Sequence, residues 1–199
     1  MSKPSTPQLC LLGAITLVMP VLAQAHTAGG EAAGFWSGLR HPASGMDHVA
    51  AMLAVGLWGA QLGAPALWVL PVTFPIVMAF GGMLGLIGVA IPGVELGIAA
   101  SGILLGLMVL LARRPPLIIA AVLVGFFAIF HGHAHGTELP DGANAMLYSV
   151  GFVVSTGLIH AAGISIGLLH RWSAGRVVIR LAGLAIAVAG GGYLWSALS

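Results

Sequence analysis

Residues Arg40 to Trp58 read RHPASGMDHVAAMLAVGLW, a short polar cluster followed at once by an apolar run. The cluster supplies His41, Asp47 and His48, and no charged residue occurs between His48 and Trp58. A run of this kind predicts an apolar helix whose first turn carries ionisable side chains. Ionisable groups beside a buried helix need a specific explanation, because burying them without partners costs free energy.

Two local patterns predict the backbone around this cluster. Ser44 followed three residues later by Asp47 is typical of a capping box, so the helix should open near Asp47. Pro42 disfavours helical geometry at the residue before it, which predicts an extended backbone at His41. Together they predict that the chain turns into the helix between His41 and Asp47.

A second polar cluster, Phe130 to Glu138, reads FHGHAHGTE and closes another apolar run. If the helix continues, His131 and His135 share one face with Glu138, whereas His133 points elsewhere. Several ligands on one helical face are a common way to hold a metal ion. The alternative is a histidine-rich loop with weak or no metal binding, because the glycines between the histidines lower helix stability.

Composition places the chain in a membrane. Hydrophobic residues make up 59% of the chain and charged residues 6%, and the mean hydropathy is +1.05, whereas about a quarter of the residues in a soluble domain are charged. Long apolar runs without strand-like alternation predict an all-α integral membrane protein instead of a barrel. The net charge of +2 comes from a few scattered side chains, so nucleic acid is not an expected partner.

The first 25 residues have the layout of a secretory signal peptide. Lys3 precedes an apolar stretch from Leu9 to Leu22, and Ala23-Gln24-Ala25 forms an A-x-A cleavage site, so the mature chain should start at His26. The alternative is an uncleaved first transmembrane helix, which the short, proline-containing stretch disfavours. Residues 26–199 then form a single transmembrane domain in a bacterial inner membrane.

Cleavage would also remove Cys10 and Lys3, the only cysteine and the only lysine. Without cysteine the mature chain has no thiolate metal ligand, which leaves imidazole, carboxylate and thioether groups. Without lysine it has no phosphate-binding P-loop lysine. A self-contained ATP-driven pump is therefore excluded, and ATP is not an expected partner.

Six transmembrane spans are predicted in the mature chain, each near the ~20 residues that cross a bilayer. Pro71 and Pro75 should kink the second span, and a Gly102/Gly106 face in the third suits close helix packing. Arginines in the connections after the third and fifth spans should face the cytoplasm, which places the mature N-terminus and both polar clusters in the periplasm. The predicted bounds are 47–62, 67–89, 94–111, 117–131, 143–169 and 177–198.

A metal site is one interpretation of His41, Asp47 and His48, since imidazole suits nickel, cobalt, zinc or copper and a carboxylate offsets the charge of the ion. The alternative is structural, with Asp47 as a helix cap and the histidines in ordinary hydrogen bonds. A cap does not explain two flanking histidines, so metal binding is favoured. Met52, one turn beyond His48, is either a soft ligand or a packing residue.

Four further residues are weaker candidates. Glu95, at the start of the third span, is either a ligand or a carboxylate placed favourably at a helix N-terminus. His160, in the fifth span, is either a relay ligand on the way inward or a histidine satisfied by hydrogen bonds between helices. His133 is retained as a pathway candidate, and His26 would offer an amine and an imidazole after cleavage.

At the two clusters the sequence resembles the HupE/UreJ family of nickel permeases. The motifs are H-P-x-x-G-x-D-H from His41 to His48 and F-H-G-x-A-H-G-x-E from Phe130 to Glu138, and the resemblance covers nearly the entire chain. It implies uptake of Ni²⁺ or Co²⁺ as a transported substrate, with no catalytic cofactor, for assembly of a hydrogenase, a urease or another metalloenzyme. The metal-recognition residues that it implies are His41, Asp47, His48, His131, His135 and Glu138.

A competing hypothesis is an intramembrane metal-dependent hydrolase, in which the same histidines and Asp47 hold zinc and activate water. No H-E-x-x-H motif is present, so an enzyme is the less favoured hypothesis. Besides the metal ion, the expected partner is the lipid bilayer. The sequence leaves the oligomeric state open, a homo-oligomer included.

Overall fold

The computed structural model of the protein describes residues 31–138 and 144–199. Within these ranges the chain is helical without strands, which confirms the all-α prediction. The predicted signal peptide and the candidate ligand His26 lie outside the described residues. A short 3₁₀ helix, Leu168–Arg171, extends the sixth α-helix. The α-helices are α1 (Glu31–Ser44), α2 (Met46–Leu62), α3 (Ala66–Leu86), α4 (Val94–Leu111), α5 (Leu117–Thr137), α6 (Ala145–Gly167) and α7 (Ser173–Leu198).

Among the described residues, five helices are long and apolar enough to cross a membrane, namely α3, α4, α5, α6 with its 3₁₀ extension, and α7. Large apolar side chains cover their outer faces, such as Ile76, Ile118 and Leu158, which are 65%, 77% and 64% exposed. A bilayer tolerates helices with such faces because their backbone polar groups are paired within each helix. The chain is therefore a multi-pass membrane protein.

Helix α2 forms the centre of the bundle. Its residues from Ala51 to Gln61 are buried except Leu53, and it packs against α3, α4, α6 and α7. Burial on all sides explains why its sequence is apolar all round instead of amphipathic. It runs parallel to α6, since Gly163 faces Leu53 and Gly167, one turn further along α6, faces Leu57.

Close glycine contacts join α4 to α7. A Cβ atom at Gly106 would lie 2.7 Å from the carbonyl oxygen of Gly183, and one at Gly102 would lie 3.3 Å from Cα of Gly190. A larger residue at Gly106 would therefore push the two helices apart. These contacts confirm the predicted packing role of the Gly102/Gly106 face.

The bundle has two polar ends of different composition. The histidine end consists of the α1–α2 junction and the last turn of α5, and it contains both predicted polar clusters. The arginine end consists of the α4–α5 connection, with Arg113 and Arg114, and of the junction between α6 and α7, with Arg171 in the 3₁₀ helix and Arg176 in the first turn of α7. Helix α2 begins at the histidine end and ends at the arginine end, where Trp58 is hydrogen-bonded to Arg113.

Two local predictions for the first cluster are wrong. His41 and Pro42 lie in the last turn of α1 instead of in extended backbone, and Gly45, not Ser44, is the N-cap residue of α2. The Ser44 hydroxyl donates to the carbonyl oxygen of His41 at 2.6 Å, so it closes α1 and does not open α2. Packing of α1 along α6 outweighs the local preference of the residue before proline.

Several helix bounds differ from the predicted spans. Helix α5 continues to Thr137, with Glu138 as its C-cap, so the second cluster is helical almost to its end. Helix α3 stops at Leu86, because the chain leaves the helix before Gly88, whose φ is 74°. Helix α7 begins at Ser173, earlier than the predicted 177. The predicted start of the fifth span, 143, lies outside the described residues, and α6 begins at 145.

Candidate metal centre

The α1–α2 junction shapes one half of the site. His48 donates its backbone N–H to Oδ1 of Asp47 at 2.8 Å, and ring Nδ1 lies 2.9 Å from the same oxygen. Because a carboxylate only accepts, Nδ1 of the neutral ring carries the proton and Nε2 keeps an unshared electron pair. That Nε2 is buried and has no hydrogen-bond partner among the described residues. A histidine oriented in this way by a carboxylate is typical of metal sites.

The residues of the second cluster lie on three different faces of helix α5. The glycines that follow His131 and His135 face α3, whose backbone leaves no room for a Cβ atom at either position. His133 turns to the α3–α4 connection, where its Nε2 donates to the carbonyl oxygen of Val89 at 2.7 Å. His131 and His135 point toward α2 and are buried. Packing against α3 therefore offsets the low helix propensity of the glycines.

Four imidazole rings from the two clusters meet at the histidine end. The His48 ring centroid lies 4.6 Å from that of His131 and 4.3 Å from that of His135. The centroids of His41 and His135 are 4.8 Å apart. The structure thus brings together histidines from two motifs that are far apart in sequence.

Ser101 on α4 fixes the ring of His131. Its hydroxyl donates to the carbonyl oxygen of Ile98 at 2.6 Å, so its oxygen accepts from Nε2 of His131, 2.8 Å away. Nε2 therefore carries a proton, and Nδ1 of the neutral ring keeps an unshared pair, buried and without a partner among the described residues. Sequence analysis missed Ser101, whose signal was a lone serine within an apolar span.

Glu138 closes the cluster beside α1. Its Oε2 lies 2.9 Å from Nε2 of His41 and 3.7 Å from Nδ1 of His135. One ligand atom from each of these three residues lies within 4.8 Å of the other two. Because metal–ligand distances are about 2 Å, the ligands of one ion lie within about 4 Å of one another. The trio is therefore close to a binding geometry.

A cavity of about 330 Å³ opens onto this cluster. Glu95, in the first turn of α4, lines the cavity together with Asp47 and Glu138. Three carboxylates around one opening create a negative potential that attracts cations. The structure thus places Glu95, a weak candidate from the sequence, beside the stronger ones.

Comparison with known proteins agrees with the two motifs. The profile of the family described as HupE / UreJ protein matches residues 14–193. The chain belongs to the HupE/UreJ family. Protein HupE of Rhizobium leguminosarum bv. viciae is 47% identical over 178 residues, which cover 89% of this chain and 93% of that protein. No solved structure matches the chain.

Three weaker candidates of this HupE/UreJ protein lie outside the cluster. Met52 is fully buried in the apolar core, and His133 binds the α3–α4 connection. His160 lies deeper in the bundle, with the ring of Phe74 between it and His131. The centroid of Phe74 is 5.5 Å from that of His131 and 5.4 Å from that of His160.

One serine of this HupE/UreJ chain has the sequence context of a hydrolase nucleophile. Residues 163–167 read GISIG and match the letters of G-x-S-x-G. They lie within α6, whereas a nucleophile elbow needs a strand-to-helix turn. Ser165 is exposed, and its hydroxyl donates to the carbonyl oxygen of Ala161 at 2.8 Å. The residues therefore match the sequence pattern but not the structural motif of a hydrolase nucleophile.

The chemistry of the cluster is that of a mixed nitrogen and oxygen site. Buried ring nitrogens without a partner among the described residues are Nε2 of His48, Nδ1 of His131 and both nitrogens of His135. Each buried polar atom left unpaired costs about 1–3 kcal/mol, so a ligand that binds these atoms is favoured. Neutral imidazoles beside carboxylates suit divalent nickel, cobalt, zinc or copper.

Proposed function

We propose that this HupE/UreJ protein is a secondary permease that takes up divalent nickel or cobalt across the bacterial inner membrane for metalloenzyme maturation. The observation that carries the proposal is the group of buried imidazole nitrogens at the histidine end, which lack partners among the described residues and border a carboxylate-lined cavity. The ion is the transported substrate, and no catalytic cofactor takes part.

The proposal includes a topology of six spans. Helix α2 has 17 residues, which at ~1.5 Å per residue extend about 25 Å and approach the ~30 Å of a hydrocarbon core. Residues 1–25 act as a cleaved signal peptide. The arginine end faces the cytoplasm, since positive residues are enriched there, and the histidine end faces the periplasm.

Ion capture follows from the geometry of the histidine end. The carboxylates of Asp47, Glu95 and Glu138 attract the hydrated dication to the cavity. Imidazole nitrogens then replace part of its water, and because the rings are neutral they bind the dication without adding charge to the site. Asp47 keeps the lone pair of His48 directed into the cluster. We take His41, His48, His131, His135, Asp47 and Glu138 as the recognition residues.

Uptake of radioactive nickel into proteoliposomes tests this function. The wild type should show saturable uptake, with cobalt and zinc as competitors that rank selectivity. Asp47→Asn should lower uptake about 10–100-fold, as is usual when the carboxylate that orients a metal-binding histidine is removed. His170→Asn serves as a matched control, because that histidine lies at the arginine end and bonds to the carbonyl oxygen of Gly167.

The transport proposal fails if a correctly inserted wild type carries neither nickel nor cobalt. Metal-dependent hydrolysis of a lipid or peptide without ion flux would support the intramembrane hydrolase instead. Equal uptake by the wild type and Asp47→Asn would remove Asp47 from the recognition residues but would leave the permease function intact.

A further inference from the structure

His160 is a buried histidine that the recognition site does not use. Its side chain is 1% exposed, and neither ring nitrogen makes a hydrogen bond to a described residue. Among the other described histidines, all except His135 have a hydrogen-bonded ring nitrogen, namely His41, His48, His131, His133 and His170.

Two oxygen atoms accompany the His160 ring. Thr156 lies one turn earlier on the same face of α6, is fully buried, and has no described partner for its hydroxyl. The backbone of Pro71 on α3 faces the ring. Because Pro75 has no N–H, the carbonyl of Pro71 cannot receive the usual helical hydrogen bond. The two prolines of α3 thus leave an acceptor facing a buried imidazole.

His160 lies between the histidine end and the arginine end, on the inner side of the cluster. The Phe152 ring lies 4.4 Å from that of His135, and His160 is two turns further along α6, about 12 Å at ~1.5 Å per residue. The ring of Phe74 contacts both His131 and His160. An ion that leaves the histidine end toward the arginine end therefore passes Phe74 and meets His160.

We propose that His160, Thr156 and the Pro71 carbonyl form a second, inner binding position for the divalent ion, an inference that rests on the proposed permease function. Its donors are one imidazole nitrogen and two neutral oxygens, a set that suits nickel or cobalt with part of its water retained. Interrupted helices offer carbonyls to ions in the middle of many transporters. Because this position has no carboxylate, it binds the ion more weakly than the histidine end and releases it inward.

A substitution at His160 separates inner binding from capture. His160→Asn should lower nickel uptake at least tenfold, since the imidazole ligand is lost. Equilibrium binding of nickel to the purified protein in detergent should fall from two ions per chain to one, with unchanged affinity at the remaining site. His170→Asn on the neighbouring 3₁₀ helix is the matched control and should keep both uptake and stoichiometry.

A spectroscopic arm gives a result even if His160→Asn is poorly folded. In a Cys10→Ser background, His160→Cys places a single thiol at the inner position, and thiolate is a strong ligand for cobalt. Addition of cobalt should produce a thiolate-to-cobalt charge-transfer band, and His170→Cys should not produce one.

The two proposals can fail separately. A wild type without nickel or cobalt flux overturns the permease function, whereas the cobalt band still decides whether an ion binds at His160. Wild-type uptake and stoichiometry in His160→Asn, or absence of the band in folded His160→Cys, overturn the inner position and leave the permease function standing.

Discussion

The two ends of the bundle use polar side chains in opposite ways. At the arginine end, donors from α2 and α7 reach carbonyls in the last turn of α4 and just after it, the region where a helix leaves carbonyls without the usual i+4 partner. At the histidine end, Asp47 and Ser101 each hold one ring nitrogen of a histidine, and the other ring nitrogen remains unpartnered among the described residues. The arginine-end bonds run from Trp58, Gln61 and Arg180 to the carbonyl oxygens of Arg113, Val109 and Leu110.

This difference separates structural from functional polar residues. A side chain whose donor is paired with a backbone carbonyl near a helix end, as in Trp58, has a structural role. His48 and His131 are each hydrogen-bonded at one ring nitrogen and have no partner among the described residues at the other. A histidine held in this way is oriented to bind a ligand such as a metal ion. Oε1 of Gln61 is an exception, since it is buried and unpartnered within the described ranges although it lies at the arginine end.

The largest effect is expected at His131 on α5, and His133 on another face of the same helix provides the control. His131→Asn should lower nickel uptake by about 100-fold or more, because it removes one of the proposed buried ligands and not only a residue that supports one. His133→Gln should stay near the wild-type rate, since a glutamine amide reaches about as far as Nε2 of histidine and can still donate to the carbonyl oxygen of Val89. Nickel uptake and equilibrium binding, each measured per folded molecule, check this pair. Equal losses of uptake in both variants would contradict the assignment of only one of these two faces of α5 to the metal site.

Packing of α5 on α3 should produce the next largest effect. In Gly132→Ala the new methyl group meets the carbonyl of Met78, so the helices have to separate. We expect a loss of about 1–3 kcal/mol in unfolding free energy, the usual cost of overpacking. Gly191→Ala is the control, because nothing lies within 4 Å of that position and alanine favours helix. Unfolding in detergent measures both, and a stable Gly132→Ala would show that the α3–α5 contact is looser than described.

Much of this arrangement follows from the sequence. Apolar runs predicted the helices, and the residue types of the two motifs predicted which side chains meet, because apolar periodicity and ligand chemistry are local properties. The sequence could not show that α1 would hold His41 in a helix, since packing on α6 overrides the preference before Pro42. Nor could the sequence identify Ser101 as the partner of His131, because that role depends on which helix faces His131. Such partners depend on tertiary contacts, which spacing does not encode.

Ser101 should show a smaller effect than the ligand it supports. Ser101→Ala removes the acceptor for Nε2 of His131, so the ring can adopt the tautomer that protonates Nδ1 and hides the lone pair. We expect about a tenfold loss of nickel affinity, the lower range for residues that support a ligand. Ser101→Thr, which keeps the hydroxyl, should restore most of it. Nickel titration of purified protein measures the change; an Ala variant that binds as the wild type does would show that the tautomer is fixed by other contacts.

The smallest effect is expected at the arginine end and concerns stability alone. Trp58→Phe keeps an aromatic ring but leaves the carbonyl of Arg113 without its donor. Because that carbonyl lies near the helix end, where water can replace the bond, we expect a loss of about 1 kcal/mol in unfolding free energy. Trp195→Phe, at a tryptophan that is 76% exposed, controls for the change of ring type. Nickel uptake per folded molecule should be unchanged in both variants. If Trp58→Phe instead slows uptake while its thermal stability is preserved, then the hydrogen bonds on α4 take part in ion release, and the arginine end is a functional gate as well as a closed helix terminus.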